Sequence, residues 1–162
     1  MIKNNELNAI VIAKYFLTKD KMTQKKVQKL VFYAYAWYIV LNNDFSDNIK
    51  NILFDEVPEA WMHGPVFPTL YEKYKYYNWL EIPKLNERIK FEVTKLVEFL
   101  DKIWSKFSVF TGDELEYMTH QEDPWFNARM KEPRNIASKN KISLKDIFDF
   151  YSELARKYGC NN

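Results

Sequence analysis

Residues able to do chemistry are few. The chain has two histidines, His63 and His120, and one cysteine, Cys160. Glu59, Glu122 and Asp123 are the carboxylates nearest to the histidines in sequence. A zinc site draws roughly three or four ligands from His, Cys and carboxylates, presented together by helical or hairpin spacing. These residues do not fall into such a pattern, so neither a metal nor another cofactor is expected. No Gly-x-Ser-x-Gly elbow occurs, and three glycines in the whole chain leave none to spare for a phosphate-cradling loop. General acid–base work by His120 survives this sifting. Its predicted place is a helix C-terminus, where the macrodipole favours the protonated imidazole and titration near neutral pH. The competing reading is structural: His120 bonds to neighbouring backbone and locks the turn before Pro124 and Trp125.

The stretch "EAWMHGPVFPTLYEKY", Glu59 to Tyr74, gathers a Trp, a His, a Gly and two prolines within Trp61–Pro68. Glycine before proline turns the chain, because Gly64 tolerates backbone angles closed to other residues and the residue before proline is pushed out of helical geometry. Pro68 suits the first turn of a helix, where its missing N–H costs nothing. Tyr71, Tyr74 and Tyr77 then recur at a spacing of three, which reads either as a stacking platform for bases or as a half-buried packing stripe. No basic stripe accompanies them, which favours packing.

These residues need a scaffold. Asn8 to Leu17 reads as a short buried helix. Thr23 caps a central helix on which Val27, Leu30, Val31, Ala34, Tyr38 and Leu41 share helical spacing, stopped at Asn42–Asn43. Lys25, Lys26 and Lys29 on its first turns read as a solvated face. Ile49 to Met62 breaks the helical rhythm, with "ILF" and "AWM" as extended segments of a small hairpin. A helix is predicted from Pro68 toward Trp79, and the strongest periodicity runs from Asn86 to Phe107. Thr111 and Glu114 form a capping box for the next helix, and Asp123–Pro124 starts a short one through Met130. Ser143 and Asp146 cap a last helix that Gly159 closes. The fold class is therefore mainly α: one compact domain of six or seven helices with a small antiparallel β element near residues 50–63. Its core spans about 5–158, and 159–162 form a flexible tail.

Of the residues, 47% are apolar and 17% aromatic, too many for disorder, while 28% are charged and no long apolar run suggests a membrane span. Nothing near Met1 resembles a cleavable leader. The lone Cys160 has no internal partner, which fits a reducing, cytoplasmic setting. A net charge of +2, from 24 basic and 22 acidic side chains, gives no bulk attraction for nucleic acid.

Taken in order, "KKVQKLVFYAYAW", "EAWMHGPVFPTLYEKY" and "ELEYMTHQEDPWFNAR" resemble the SocA-like antitoxin family, the Panacea domain, also described as phage-associated proteins. The pieces that carry the likeness are Lys29–Leu30, Ala60–Trp61, Gly64–Pro65–Val66, Leu70–Tyr71, Thr119–His120 and Pro124–Trp125. The resemblance implies a prokaryotic or phage protein that neutralises a cognate toxin or other effector by direct protein–protein binding, with a protease as a further partner if it acts as a proteolytic adaptor. Family members often carry an aromatic hydroxyl residue in place of His63, which argues against a shared catalytic role there. Tyr71, Tyr74, Tyr77, Arg129 and Arg134 are the candidate partner-binding residues, the arginines because exposed loops carry variable recognition. A small enzyme built on His120 and a nearby carboxylate is the alternative, and a nucleic-acid-binding module the third.

Overall fold

In the computed structural model, residues 1–130 and 132–159 are described. Cys160 and most of the expected 159–162 tail lie outside them. Helix α1, Ala9–Leu17, starts where the Asn8 side chain accepts the Val11 N–H at 3.0 Å and buries Ala9, Ile12, Ala13, Tyr15, Phe16 and Leu17. After β1, Met22–Thr23, helix α2 runs through Gln24–Asn42, with Thr23 as its N-cap, as the sequence indicates. Its buried residues run without a break from Val27 to Trp37. A helix buried on all sides must have neighbours all round it, and α2 packs against α1 and against the helices at Pro68–Tyr74, Thr94–Phe107, Gly112–His120 and Leu144–Lys157.

The hairpin is β2, Glu59–Trp61, paired antiparallel with β3, Gly64–Val66, in the register Glu59–Val66, Ala60–Pro65 and Trp61–Gly64. It therefore lies at the end of the predicted β region. Ile52–Leu53–Phe54 is not a strand: Leu53 and Phe54 are buried, and Phe54 packs its ring on Tyr35 and Phe67, contacts that need no ladder partner. The free edge of β2 is covered by the 140–142 segment, through Ala60 N–H to Asn140 O at 2.7 Å and Ile142 N–H to Pro58 O at 2.9 Å. Helix α3, Pro68–Tyr74, is shorter than expected and gives way to a 3-10 turn, Lys75–Tyr77, and then to β4, Glu81–Ile82, which pairs antiparallel with β1.

Helix α4, Thr94–Phe107, begins eight residues later than its periodicity suggests. Residues before it pair instead with the start of the chain: Ile2 N–H bonds Lys90 O at 2.8 Å and Glu92 N–H bonds Ile2 O at 2.9 Å, with Phe91 buried between. Helix α5, Gly112–His120, has the expected capping box in full, Thr111 Oγ1 accepting from Glu114 N–H and Glu114 accepting from Thr111 N–H. Helix α6 spans Asp123–Ala128. Its N-cap is Glu122, not Asp123, and the chain leaves the helix before Met130. Helix α7, Leu144–Lys157, is capped by Ser143, and Gly159 follows with φ of 68°. Seven α-helices and two short antiparallel pairings thus make up the described residues. No helix among them is long and apolar enough to cross a membrane.

Candidate functional site

The motif residues converge where α2, the hairpin, α3, α5 and α6 meet. Gly64 is set at φ of 104° by the tight turn into β3, and a β-carbon there would stand 2.4 Å from Lys29 Cε and 2.9 Å from Thr119 Oγ1. The absent side chain is what lets the Lys29 stem cross the hairpin. Lys29 is 1% exposed, and its ammonium donates to Pro65 O at 3.3 Å. The predicted solvated face of Lys25, Lys26 and Lys29 is corrected here. Lys25 reaches Asp113 at 2.8 Å and Glu116 at 2.7 Å, Lys26 donates to Ser108 O at 2.7 Å, and Lys29 is interior. Burial lowers the Lys29 ammonium to about 7; Glu116 pulls it back up and Lys25 pushes it further down.

Above the turn, Trp125 is 2% exposed and donates its indole N–H to Trp61 O at 2.8 Å. His120 stacks on the same indole with ring centroids 3.9 Å apart, and Trp61 packs edge-on against Tyr71 at 4.9 Å. Thr119 turns its hydroxyl back to Glu116 O, Pro124 opens α6 from a buried position, and Leu30 lies in the core. The motif residues are thus brought together as one lock between hairpin and helices.

His120 does end a helix, but its pKa moves down, not toward the protonated form. Burial of the ring outweighs the pull of Glu116, whose Oε1 is 4.0 Å from His120 Nε2. Nor does the ring bond to nearby backbone as the structural reading expected: Nε2 is buried without a hydrogen-bond partner among the described residues, and the imidazole is held by stacking. Glu116 is occupied by His63 Nδ1 at 2.7 Å as well as by Lys25. Burial pushes its carboxyl up, and those two partners overcome that and hold it below 4.5. Among the described residues no group of three or more His, Cys, Asp and Glu side chains could hold a metal ion.

The proposed partner-binding residues separate. Tyr71 is half-buried against Trp61, Tyr74 is buried, and Tyr77 and Arg134 are exposed. Arg129 is not on an exposed loop. It is 3% exposed, its guanidinium donates to Ala60 O at 2.9 Å, Pro133 O at 3.0 Å and Ile136 O, and it lies 5.2 Å over the Trp125 ring. Sequence reasoning missed Gln28, whose amide bonds both the N–H and the carbonyl of Phe67 and so fixes the end of the hairpin. Glu122, weighed in the sequence only as a carboxylate near the histidines, instead accepts a 2.5 Å bond from the Tyr33 hydroxyl; burial raises its pKa to about 7, and the Tyr33 and Tyr151 hydroxyls draw it back only partly. Trp79, expected toward the end of the helix that Pro68 opens, lies beyond α3. It is 83% exposed, beside Tyr76 at 83% and Leu80 at 62%. A solvent-exposed run of Tyr, Trp and Leu is a signal visible in sequence only once α3 is known to stop short of it.

Between the start of α2, the hairpin and Trp79 lies a groove of about 670 Å³, whose lining includes Gln28, Lys29, Trp61, His63, Tyr71 and Trp79. The fold is thus a helical domain with a tryptophan-locked hairpin, an open groove and exposed aromatics beside it. The model of the SocA-like antitoxin family, Panacea domain, matches residues 27–126, and the chain belongs to that family. The matched span holds Lys29, the hairpin and Trp125 but ends before Arg129 and Arg134. No curated protein and no solved structure is significantly similar to the chain.

Proposed function

We propose that this chain neutralises a toxic partner protein by direct, stoichiometric contact. Membership in the antitoxin family over residues 27–126 carries the reading. The surface supports it, since the exposed Tyr76 and Trp79 are of the aromatic types that most often anchor protein contacts, with Leu80 exposed beside them. A stable complex needs roughly 800 Å² on each side, which this patch and the neighbouring groove rim could contribute to together. Delivery of the partner to a protease remains within the same reading, because it begins with the same contact.

The test is co-expression of the chain with the product of the gene beside it. Restored growth together with a copurifying complex is the expected result. A harmless neighbour, or rescue with no complex, overturns the proposal in favour of an enzyme using His120. The enzyme reading has less support, because Glu116, the carboxylate nearest His120, is engaged by Lys25 and His63. Nucleic-acid binding would show a steep loss of affinity with salt, and the near-balanced charge gives no support to it.

A further inference from the structure

Lys29 lines the groove as a buried cation with nothing adequate to donate to among the described residues. An ammonium has three donors, and Lys29, 1% exposed, makes a single long hydrogen bond, to Pro65 O at 3.3 Å. Neighbouring charges are committed elsewhere. Lys25 is held by Asp113 and Glu116, His63 by Glu116, and the Gln28 amide spends both ends on Phe67. The remaining walls are largely apolar, with Trp61, Val66 and Tyr71 among them, and the volume of about 670 Å³ falls in the range of small-ligand pockets.

From this we infer that the groove binds one carboxylate carried on an apolar body, with the carboxylate on Lys29 and the body against Trp61 and Tyr71. The apolar walls favour a ligand whose one charged group meets Lys29 while its body meets the rings; the other lysine of the lining, Lys139, is exposed, 6.0 Å from the Trp61 ring. A carboxylate of this kind comes either as a free small acid or as the C-terminus of a protein chain. The inference does not depend on the neutralisation reading. Binding also moves a proton. The charged and titratable groups facing Lys29 are Glu116, Lys25 and His120, and an added anion favours the ammonium form, so the complex takes up a proton above neutral pH.

The test uses the full chain and calorimetric titration with hydrocinnamate and with its neutral amide, hydrocinnamamide. The acid is expected to bind at least about tenfold tighter, the difference made by a charge-assisted hydrogen bond. Lys29→Met should reduce the acid to the level of the amide, and Ala137→Trp, at an exposed lining position, should weaken both. Equal binding of acid and amide, absence of binding by both, or an unchanged acid affinity in folded Lys29→Met overturns the inference. Should Lys29→Met fail to fold, wild-type titrations at about pH 8 in buffers of different ionisation enthalpy decide it: proton uptake with the acid and none with the amide supports it, and no uptake overturns it. The peptide Gly-Gly-Phe with a free C-terminus, compared with hydrocinnamate, separates the sources. Tighter binding of the peptide points to a chain end, and weaker binding to a free acid.

Discussion

Lys29 Cε occupies the space that a side chain at position 64 would need, 2.4 Å from an ideal β-carbon on Gly64. The glycine is therefore required twice, by its φ of 104° and by the lysine stem that crosses it. Gly64→Ala is expected to cost about 1–3 kcal/mol from backbone strain alone, with the displaced Lys29 adding to it. Chemical denaturation checks this. Gly159→Ala, where φ is 68° and nothing lies within 4 Å, is the control and should cost less.

Trp125→Ala is expected to lose about 3–5 kcal/mol, the range for a buried large aromatic. The indole carries the bond to Trp61 O, the stack with His120 and the cover over Arg129. Trp61 is only half-buried, so Trp61→Ala should cost less. Equal denaturant midpoints for wild type and Trp125→Ala would remove the indole from its structural role.

Arg129 and Arg134 should behave oppositely under charge reversal. Arg129 caps three backbone carbonyls from a buried position, so Arg129→Glu places an unpaired carboxylate against them and is expected to cost about 3 kcal/mol or more. Arg134 is exposed, and Arg134→Glu should leave the midpoint within about 0.5 kcal/mol of wild type. Melting curves of the two variants side by side are the measurement.

Most caps were legible because each is a local rule: Thr23, Thr111 and Ser143 perform as their types and positions indicate, while at α6 the N-cap falls one residue early, on Glu122. What was not legible depends on partners far along the chain. Phe91 falls inside the span whose periodicity predicts a helix from Asn86 to Phe107, yet it pairs with Ile2, and no local pattern announces that bridge. Lys29 reads as surface because lysine usually is, and only the glycine 35 positions later makes room for it inside. Arg129 follows a short helix in a polar stretch and looks exposed, until the hairpin carbonyl of Ala60 is brought beneath it. At the site, the motif pieces were recognisable as a set. Their mutual contacts, and the groove they border, required the fold.

Stability should depend on pH through Glu122 and Lys29, with opposite signs. Glu122 is raised from 4.5 to about 7, so between these values the unfolded chain has lost a proton that the folded chain keeps, and stability falls as pH rises through that window. Lys29 is lowered from 10.5 to about 7, so above 7 the unfolded chain holds the extra proton and stability rises with pH. Each limb has a limiting slope of about 1.4 kcal/mol per pH unit, shallower for Glu122 to the extent that water reaches this partly exposed residue. Glu122→Gln should flatten the lower limb and Lys29→Met the upper one. Subtracting variant from wild-type unfolding free energies at each pH isolates the contribution of each group.

Trp79 and Tyr76 are expected to be dispensable for folding and needed for neutralisation. Both are 83% exposed, so Trp79→Ser and Tyr76→Ser should leave the denaturant midpoint within about 0.5 kcal/mol of wild type. If the partner packs on this patch, each loses the burial of a large aromatic in the complex, and a contact at the centre of an interface costs about 2 kcal/mol or more when truncated, close to thirtyfold in affinity. Rescue of growth in co-expression should fall accordingly, with Trp79→Ser the more severe because its ring also borders the groove. Tyr158→Ser is the control, an aromatic 69% exposed on the C-terminal side of α7, outside the family-matched span, and should rescue as wild type does. A Trp79→Ser, Tyr76→Ser double variant that still binds and neutralises its partner at full strength would move the contact to another face of the molecule.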